Sequence, residues 1–260
     1  MFKVHEITPS AHAQDIWTVA WRGATLATGS LDQSVRLWRP GAGKEPQTLK
    51  GHTLAVASVD VSAEGRLVAS AGLDAVVAVY DGASGKQLQA LRAAAGEAYA
   101  VRFAPPAPGG GGAATRLGAC GRAGAVAEWD AQSGARLRAY EAGAGRFGTC
   151  LAYAPDGALV AAGAVDGALS VWETGEAGRR LLRTEAHARA VRAVAFAPDS
   201  ALLASASDDA HVRLWDARHA ALVHSFSGHR GPVLGLAYSS AGKYMASSSA
   251  DGTVKIWDVG

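Results

Sequence analysis

The sequence predicts an all-β chain built from six copies of one strand–turn–strand unit. Three observations predict it. The first is alternation: Leu202, Ala204 and Ala206 share one parity, Val212 and Leu214 share one face, and the polar Asp208-Asp209-Ala210 reverses the chain between them. The second is a fixed interval, in which an Asp stands six residues before an aromatic: Asp32 before Trp38, Asp74 before Tyr80, Asp166 before Trp172, Asp209 before Trp215, and Asp251 before Trp257. The third is the period. Aromatics close successive units at Trp38, Tyr80, Trp129, Trp172, Trp215 and Trp257, 42 or 43 residues apart except for 49 across the third.

In chain order, Phe2 to Thr8 reads as an isolated strand that Pro9 ends. Ile16 to Trp21, Ala24 to Gly29 and Val35 to Trp38 form a first three-strand meander around Asp32, and an outer strand follows near Thr48. Gly51-His52 opens the second unit, with strands at Val56–Val59, Leu67–Ser70 and Val76–Tyr80. Outer strands are expected near Gln87, Leu137, Leu181 and Val223. Turn pairs stand where hairpins need them, at Glu64-Gly65, Asp156-Gly157, Asp166-Gly167, Ala241-Gly242 and Asp251-Gly252. The third unit is longer because of an Ala/Pro/Gly insertion from Pro105 to Ala114, expected to be a loop. No segment shows sustained helical periodicity. Residues 1–260 are expected to form one domain, with units ending near 38, 80, 129, 172, 215 and 257.

Composition narrows the function. A formal net charge of +2 gives no electrostatic footprint for nucleic acid, so no direct nucleic-acid partner is expected. The N-terminus lacks the apolar core of a signal peptide, and no apolar run is long enough for a membrane helix, so a soluble intracellular protein with no membrane partner is expected. Cys120 and Cys150 are too few for a disulfide framework and fit reduced, buried positions in strands. Gly109 to Gly112 lacks the Lys-Ser/Thr and the helix of a phosphate loop. His211, His219 and His224 have no metal-ligand spacing, and Arg179, Arg180 and Arg183 read as a solvated cluster. The expectation is therefore no catalytic residue, no cofactor, no metal and no small-molecule substrate.

Gly-His near the start of a unit (Gly51-His52, Gly228-His229) and Trp-Asp at its end (Trp129-Asp130, Trp215-Asp216, Trp257-Asp258) resemble the WD-repeat signature of a β-propeller. The third unit is the weakest match, with no opening His and Ala123 where the turn Asp belongs. Ile16 to Trp21, Gly29 to Asp32, Ser58 to Ser62, Ala206 to Asp209, and Ser247 to Asp251 followed by Val254 to Gly260 are similar to the WD-repeat subunit of the superkiller complex. In animals and plants that family also serves the polymerase-associated factor complex of transcription elongation. The resemblance implies six four-stranded blades, a non-catalytic scaffold for protein subunits of a larger complex, and residence in nucleus and cytoplasm. It also implies a seven-bladed ring lacking its final blade; the alternative is a closed six-bladed ring in which Phe2 to Thr8 completes the last sheet.

Two residue sets follow. His12, His52, His187 and His229 stand 20 to 22 residues ahead of Asp32, Asp74, Asp209 and Asp251, and Thr28, Ser70, Ser205 and Ser247 stand four before each Asp. An imidazole can donate to a buried carboxylate while accepting from a hydroxyl, and the aromatic six residues on could close the group. Its composition mimics a hydrolase triad, but a group found in four blades is a staple rather than a site. Asp166 and Trp172 belong to the same pattern without the His.

The second set is the rim that the propeller resemblance places around one mouth of the ring. It comprises Asp15, Trp17, Glu97, Tyr99, Phe147, Thr149, Arg192, Pro232 and Leu234 at the starts of the innermost strands, with Leu31, Leu73 and Val165 before the turns. Trp17 is out of phase with Ile16 and Thr18-Val19 as a core residue. Exposed aromatics there favour partner segments, with Trp17, Tyr99 and Phe147 as anchors. A reader of histone tails, a scaffold of another assembly such as a ciliary complex, or a hydrolase are the alternatives.

Overall fold

A computed structural model describes residues 11–41, 45–92, 98–106, 115–122, 125–141, 147–175, 178–219 and 221–260. The described residues form 23 strands in six antiparallel sheets and no helix. Sheet 1 holds β1 (Ile16–Arg22), β2 (Thr25–Ser30), β3 (Val35–Trp38) and β4 (Gln47–Leu49). Sheet 2 holds β5 (Val56–Val61), β6 (Leu67–Gly72), β7 (Val76–Asp81) and β8 (Gln87–Arg92). Sheet 3 holds β9 (Ala98–Phe103), β10 (Arg116–Gly121), β11 (Ala125–Asp130) and β12 (Arg136–Glu141). Sheet 4 holds β13 (Gly148–Tyr153), β14 (Leu159–Ala164), β15 (Ala168–Glu173) and β16 (Arg180–Glu185). Sheet 5 holds β17 (Val191–Phe196), β18 (Leu202–Ser207), β19 (Val212–Asp216) and β20 (Ala221–Phe226). Sheet 6 holds β21 (Val233–Tyr238), β22 (Tyr244–Ser249) and β23 (Val254–Asp258).

Each sheet is a meander in sequence order, so local turns decide its shape. The turn between the second and third strands is the same in five sheets. The Asp side chain accepts the N–H two residues on: Ser34 to Asp32 (3.0 Å), Val76 to Asp74 (3.1 Å), Ala168 to Asp166 (3.1 Å), His211 to Asp209 (3.0 Å) and Thr253 to Asp251 (2.9 Å). This Asx turn gives the chain a backbone-like partner where the ladder stops. The next residue takes a left-handed conformation, which Gly167 and Gly252 adopt freely but Gln33, Ala75 and Ala210 adopt at a steric cost.

The sheets are blades of a β-propeller. The innermost strands pack in succession, β1 with β5, β5 with β9, β9 with β13, β13 with β17 and β17 with β21. Between each pair of successive sheets lies one apolar core. Val35 and Leu37 of sheet 1 meet Val59 and Val61 of sheet 2; Val77 and Val79 of sheet 2 meet Val101 and Phe103 of sheet 3. The sheet 4–5 and 5–6 junctions repeat this with Leu169, Val171 and Phe196, and with Val212, Leu214 and Met245. Side chains also bridge the innermost strands: Thr18 accepts from the Val59 N–H (3.2 Å), and Asp60 from the Phe103 N–H (2.8 Å). Cys120 and Cys150 are buried free thiols, Cys120 at the junction of sheets 3 and 4 and Cys150 with its thiol toward Val191 of sheet 5.

The strand expected at Phe2 to Thr8 lies outside the described residues, as do Glu97, Ala123 and Gly109 to Gly112. The pairing that would choose between the two rings therefore lies there too.

Candidate partner-binding rim and blade network

Four blades contain the same His–Asp–Ser/Thr group, and in three of them a Trp extends it. In sheet 5, Trp215 Nε1 donates to Ser205 Oγ (2.9 Å), Ser205 Oγ lies 2.8 Å from His187 Nε2, and His187 Nδ1 lies 3.0 Å from Asp209 Oδ2. Because an ionised carboxylate can only accept, Nδ1 carries the proton toward Asp209, and Nε2 of the neutral ring accepts from the Ser205 hydroxyl, which in turn accepts from the indole. Sheet 1 repeats the chain with Trp38, Thr28, His12 and Asp32, and sheet 6 with Trp257, Ser247, His229 and Asp251.

Sheet 2 departs from it. His52 Nε2 meets Ser70 Oγ at 2.7 Å and Nδ1 meets Asp74 at 3.0 Å, but the Tyr80 hydroxyl is buried and makes no hydrogen bond among the described residues. The Ser70 side chain still acts on the Tyr80 hydroxyl, so sheet 2 holds a looser version of the same group. A phenol carries its hydroxyl at the ring tip, whereas an indole N–H projects from the side of the ring, so the two rings approach the Ser differently.

The carboxylates are further held by backbone. Asp32, Asp74, Asp209 and Asp251 accept the N–H of Ala13, Thr53, Ala188 and Arg230. Burial would raise the Asp209 carboxyl, but the His187 imidazole and these N–H donors outweigh it and hold it below the usual range. For Asp32, too, burial is outweighed, by donors from Ser34, Ala13 and His12. Burial pushes the His187 imidazole down. Packing around the group is tight: a Cβ at Gly72 would lie 2.4 Å from His52 Nδ1. Gly51 and Gly228, beside two of the histidines, have φ of +153° and +148°, where a side chain is strained.

At the adjoining mouth the structure brings the two rim sets together by one repeated backbone bond. Leu31 N–H donates to Asp15 O, Leu73 to Ala55, Val165 to Phe147, Asp208 to Ala190, and Ala250 to Pro232. Every innermost strand then carries a β-bulge two residues after this point or its equivalent, and the bulged residues are Trp17, Ala57, Tyr99, Thr149, Arg192 and Leu234. A bulge breaks the alternation and re-aims one side chain. Trp17, Leu31, Val165 and Leu234 are exposed, and Leu73, Tyr99 and Phe147 are half-buried. Tyr99 and Phe147 stack edge to face across sheets 3 and 4, with ring centroids 5.0 Å apart. Arg192 is committed to Asp208 through Nε (2.8 Å) and Nη2 (2.6 Å). The six bulges were missed in the sequence; the out-of-phase Trp17 was their only visible sign.

A comparison with protein families matches the WD domain, G-beta repeat, at residues 3–39, 43–81, 147–173, 178–216 and 220–258, most of the chain. The chain belongs to the WD-repeat family. Among curated relatives it is 32% identical over 183 residues to WD repeat-containing protein VIP3 of Arabidopsis thaliana, covering 62% of this chain and 54% of that protein. It is 33% identical over 87 residues to Superkiller complex protein 8 of Dictyostelium discoideum, covering 31% of this chain and 28% of the relative. A probable cytosolic iron-sulfur protein assembly protein, Ciao1 of Culex quinquefasciatus, is 39% identical over 83 residues, 30% of this chain and 25% of the relative. The chain thus spans about half or less of the length of these relatives.

The WD-repeat match skips residues 82–146, which contain the third blade. There a different polar group takes over. Glu128, fully buried on β11, meets Arg138 Nε (3.0 Å), Arg116 Nη1 (3.6 Å), the Tyr140 hydroxyl (3.2 Å) and the Tyr153 hydroxyl from sheet 4 (3.0 Å). Gly118 makes room, since a Cβ there would lie 2.4 Å from the Tyr153 oxygen. Burial and the Glu128 charge push the Tyr140 phenol up to about 12. The sign was legible. Glu128 stands one residue before the closing aromatic, where the other units have Leu37, Val79, Val171, Leu214 and Ile256.

No group of three or more His, Cys, Asp or Glu among the described residues is arranged to hold a metal ion. Nor is any helix among them long and apolar enough to cross a membrane.

Proposed function

We propose that this WD-repeat protein is a non-catalytic scaffold that grips extended segments of partner proteins on the rim. Trp17, Tyr99 and Phe147 are the anchors, Leu31, Leu73, Val165 and Leu234 extend the apolar surface, and Arg192 with Asp208 supplies a polar border. The observation that carries this reading is the bulge repeated in all six innermost strands, which breaks the alternation at the same point of every blade beside Leu31, Leu73 and Val165. Half-exposed aromatics held rigidly by their neighbours are the residues that dominate interface energies. The His–Asp–Ser groups support a structural role, because four copies share one geometry and their polar atoms are engaged with one another. Relatives named as a superkiller complex protein and as an iron-sulfur assembly protein support membership of a multiprotein complex. Of the complexes open to it, we assign the chain to one of the superkiller and transcription-elongation type, working in cytoplasm and nucleus.

Affinity purification with mass spectrometry, comparing wild type with Tyr99→Ala and Phe147→Ala, tests this. The reading expects the subunits of one complex with wild type and their loss from variants that melt normally. Unchanged recovery with both variants would sink the rim as the binding surface.

A further inference from the structure

Sheets 2 to 5 carry different chemistry at matching points of the rim. Leu73, Val165 and Asp208 each donate their N–H to the residue just before an innermost strand, at Ala55, Phe147 and Ala190. On sheets 2 to 4 the surroundings are apolar. Leu54, one residue before Ala55, and Val165 are each 51% exposed, and the Tyr99 and Phe147 rings meet with centroids 5.0 Å apart. Sheet 5 reverses this. Arg189 stands where sheet 2 has Leu54, Arg192 where sheet 3 has Tyr99, and Asp208 where sheet 4 has Val165.

The Arg192 guanidinium is held by one edge. Nε and Nη2 bond to Asp208 at 2.8 and 2.6 Å, while Nη1 has no partner among the described residues and the side chain is 41% exposed. Asp208 therefore aims the group without using all its donors, and a fixed guanidinium fork is suited to a carboxylate. Arg189 is exposed, and its side chain makes no ion pair among the described residues. The aromatic pair lies beside this cation, since the charge of the Tyr99 phenol acts on Arg192. Thr149, the bulged residue between them on sheet 4, is turned away, with its hydroxyl donating to Val191 O. The turn carboxylates Asp74, Asp166 and Asp209 accept N–H groups of their own turns. Phe147, Tyr99 and Arg192 thus line one patch, apolar at one end and cationic at the other.

We propose that this patch takes an acidic peptide segment of a partner protein. An apolar side chain of the segment packs on Tyr99 and Phe147, and a nearby Asp or Glu carboxylate accepts from Arg192 Nη1 and from Arg189. This inference rests on the rim reading above and adds the sign of the partner's charge. Apolar anchoring supplies most of the affinity. The arginines supply selection, because a segment bearing Lys or Arg there would set like charges against each other.

Selection of a display library of random short peptides on the full chain tests the proposal. The selected peptides should be enriched in Asp or Glu close to Leu, Phe, Tyr or Trp. One of them, labelled with fluorescein, then gives affinities by anisotropy. Arg189→Gln and Arg192→Gln, both at exposed positions, should melt like wild type and each weaken this peptide about tenfold. Added salt should weaken it too. Replacing the acidic residues of the peptide by Gln should cost as much on wild type but little on Arg192→Gln. Tyr99→Ala should weaken the acidic peptide and its Gln counterpart alike. Selected peptides that need Tyr99 and Phe147 but show no acidic preference would overturn the proposal and leave the rim reading standing. Peptides indifferent to Tyr99→Ala and Phe147→Ala would sink both. A selection that yields basic peptides, or none, would also overturn the proposal.

Discussion

Glu128 and Arg138 stand directly opposite each other on β11 and β12, and the carboxylate of this fully buried pair member lies 3.0 Å from the guanidinium Nε. The group spans two blades, because Tyr153 of sheet 4 donates to the same carboxylate. Removing the anion leaves the Tyr140 and Tyr153 hydroxyls without their acceptor and takes the counter-charge from Arg138 and Arg116, which keep only backbone carbonyls as partners. Glu128→Ala is therefore expected to destabilise the protein by roughly 2–4 kcal/mol, read from urea unfolding. Glu128→Gln, which keeps the shape and an acceptor oxygen, should cost less. Equal losses for the two variants would mean that volume, not charge, is what matters there.

The left-handed turn residue offers a gain. Ala75 has φ of +65° at the position that Gly167 and Gly252 fill in other sheets. Relief of the Cβ clash exceeds the extra entropy a glycine loses on folding, so Ala75→Gly should stabilise by about 0.5–1 kcal/mol. A lower urea midpoint for the variant would refute this.

His229→Ala removes the donor that Asp251 faces and the acceptor of the Ser247 hydroxyl. A loss of roughly 1–3 kcal/mol is expected, concentrated in sheet 6. Hydrogen exchange from Leu234 to Trp257 should speed up; unaltered protection there would show that the group does not hold this blade.

Acid should weaken the fold in two stages. His187 is pushed below its ordinary value of 6.5 by burial, so the unfolded chain binds the proton more readily and stability falls as pH drops below 6.5. Asp32, Asp74, Asp209 and Asp251 are held below 3.8, so their contribution, complete above that value, is lost as pH falls through the lower folded values. Urea midpoints from pH 7.5 to 2 should show the first stage in full and the second setting in below 3.8, with the first missing in His187→Ala. A flat profile between pH 7.5 and 5 in wild type would contradict the first.

Trp17→Ala should weaken partner binding more than tenfold, a loss of ~2 kcal/mol, while leaving the thermal transition nearly unchanged. A much lower melting temperature with binding intact would place Trp17 in the role of a packing residue.

The staple residues were legible because each depends on spacing within one meander. His187, Ser205, Asp209 and Trp215 lie within a single hairpin-connected unit, and a repeat shows the interval several times over. The Tyr80 departure was not legible, because it turns on where a ring carries its hydroxyl relative to a Ser ten residues away. Arg192 read as a rim residue; its pairing with Asp208 needs the bulge that aims it there.

By itself the sequence determined the repeat: alternation, turn chemistry and the Asp-to-aromatic interval are local, and local geometry makes each meander. Tertiary structure decided what neighbours do to identical positions. Val212 and Val254 have the same place in the repeat, yet one is sealed by the following sheet and the other faces solvent. The physical reason is that burial belongs to a pair of surfaces, and a strand's own residues describe only one of them.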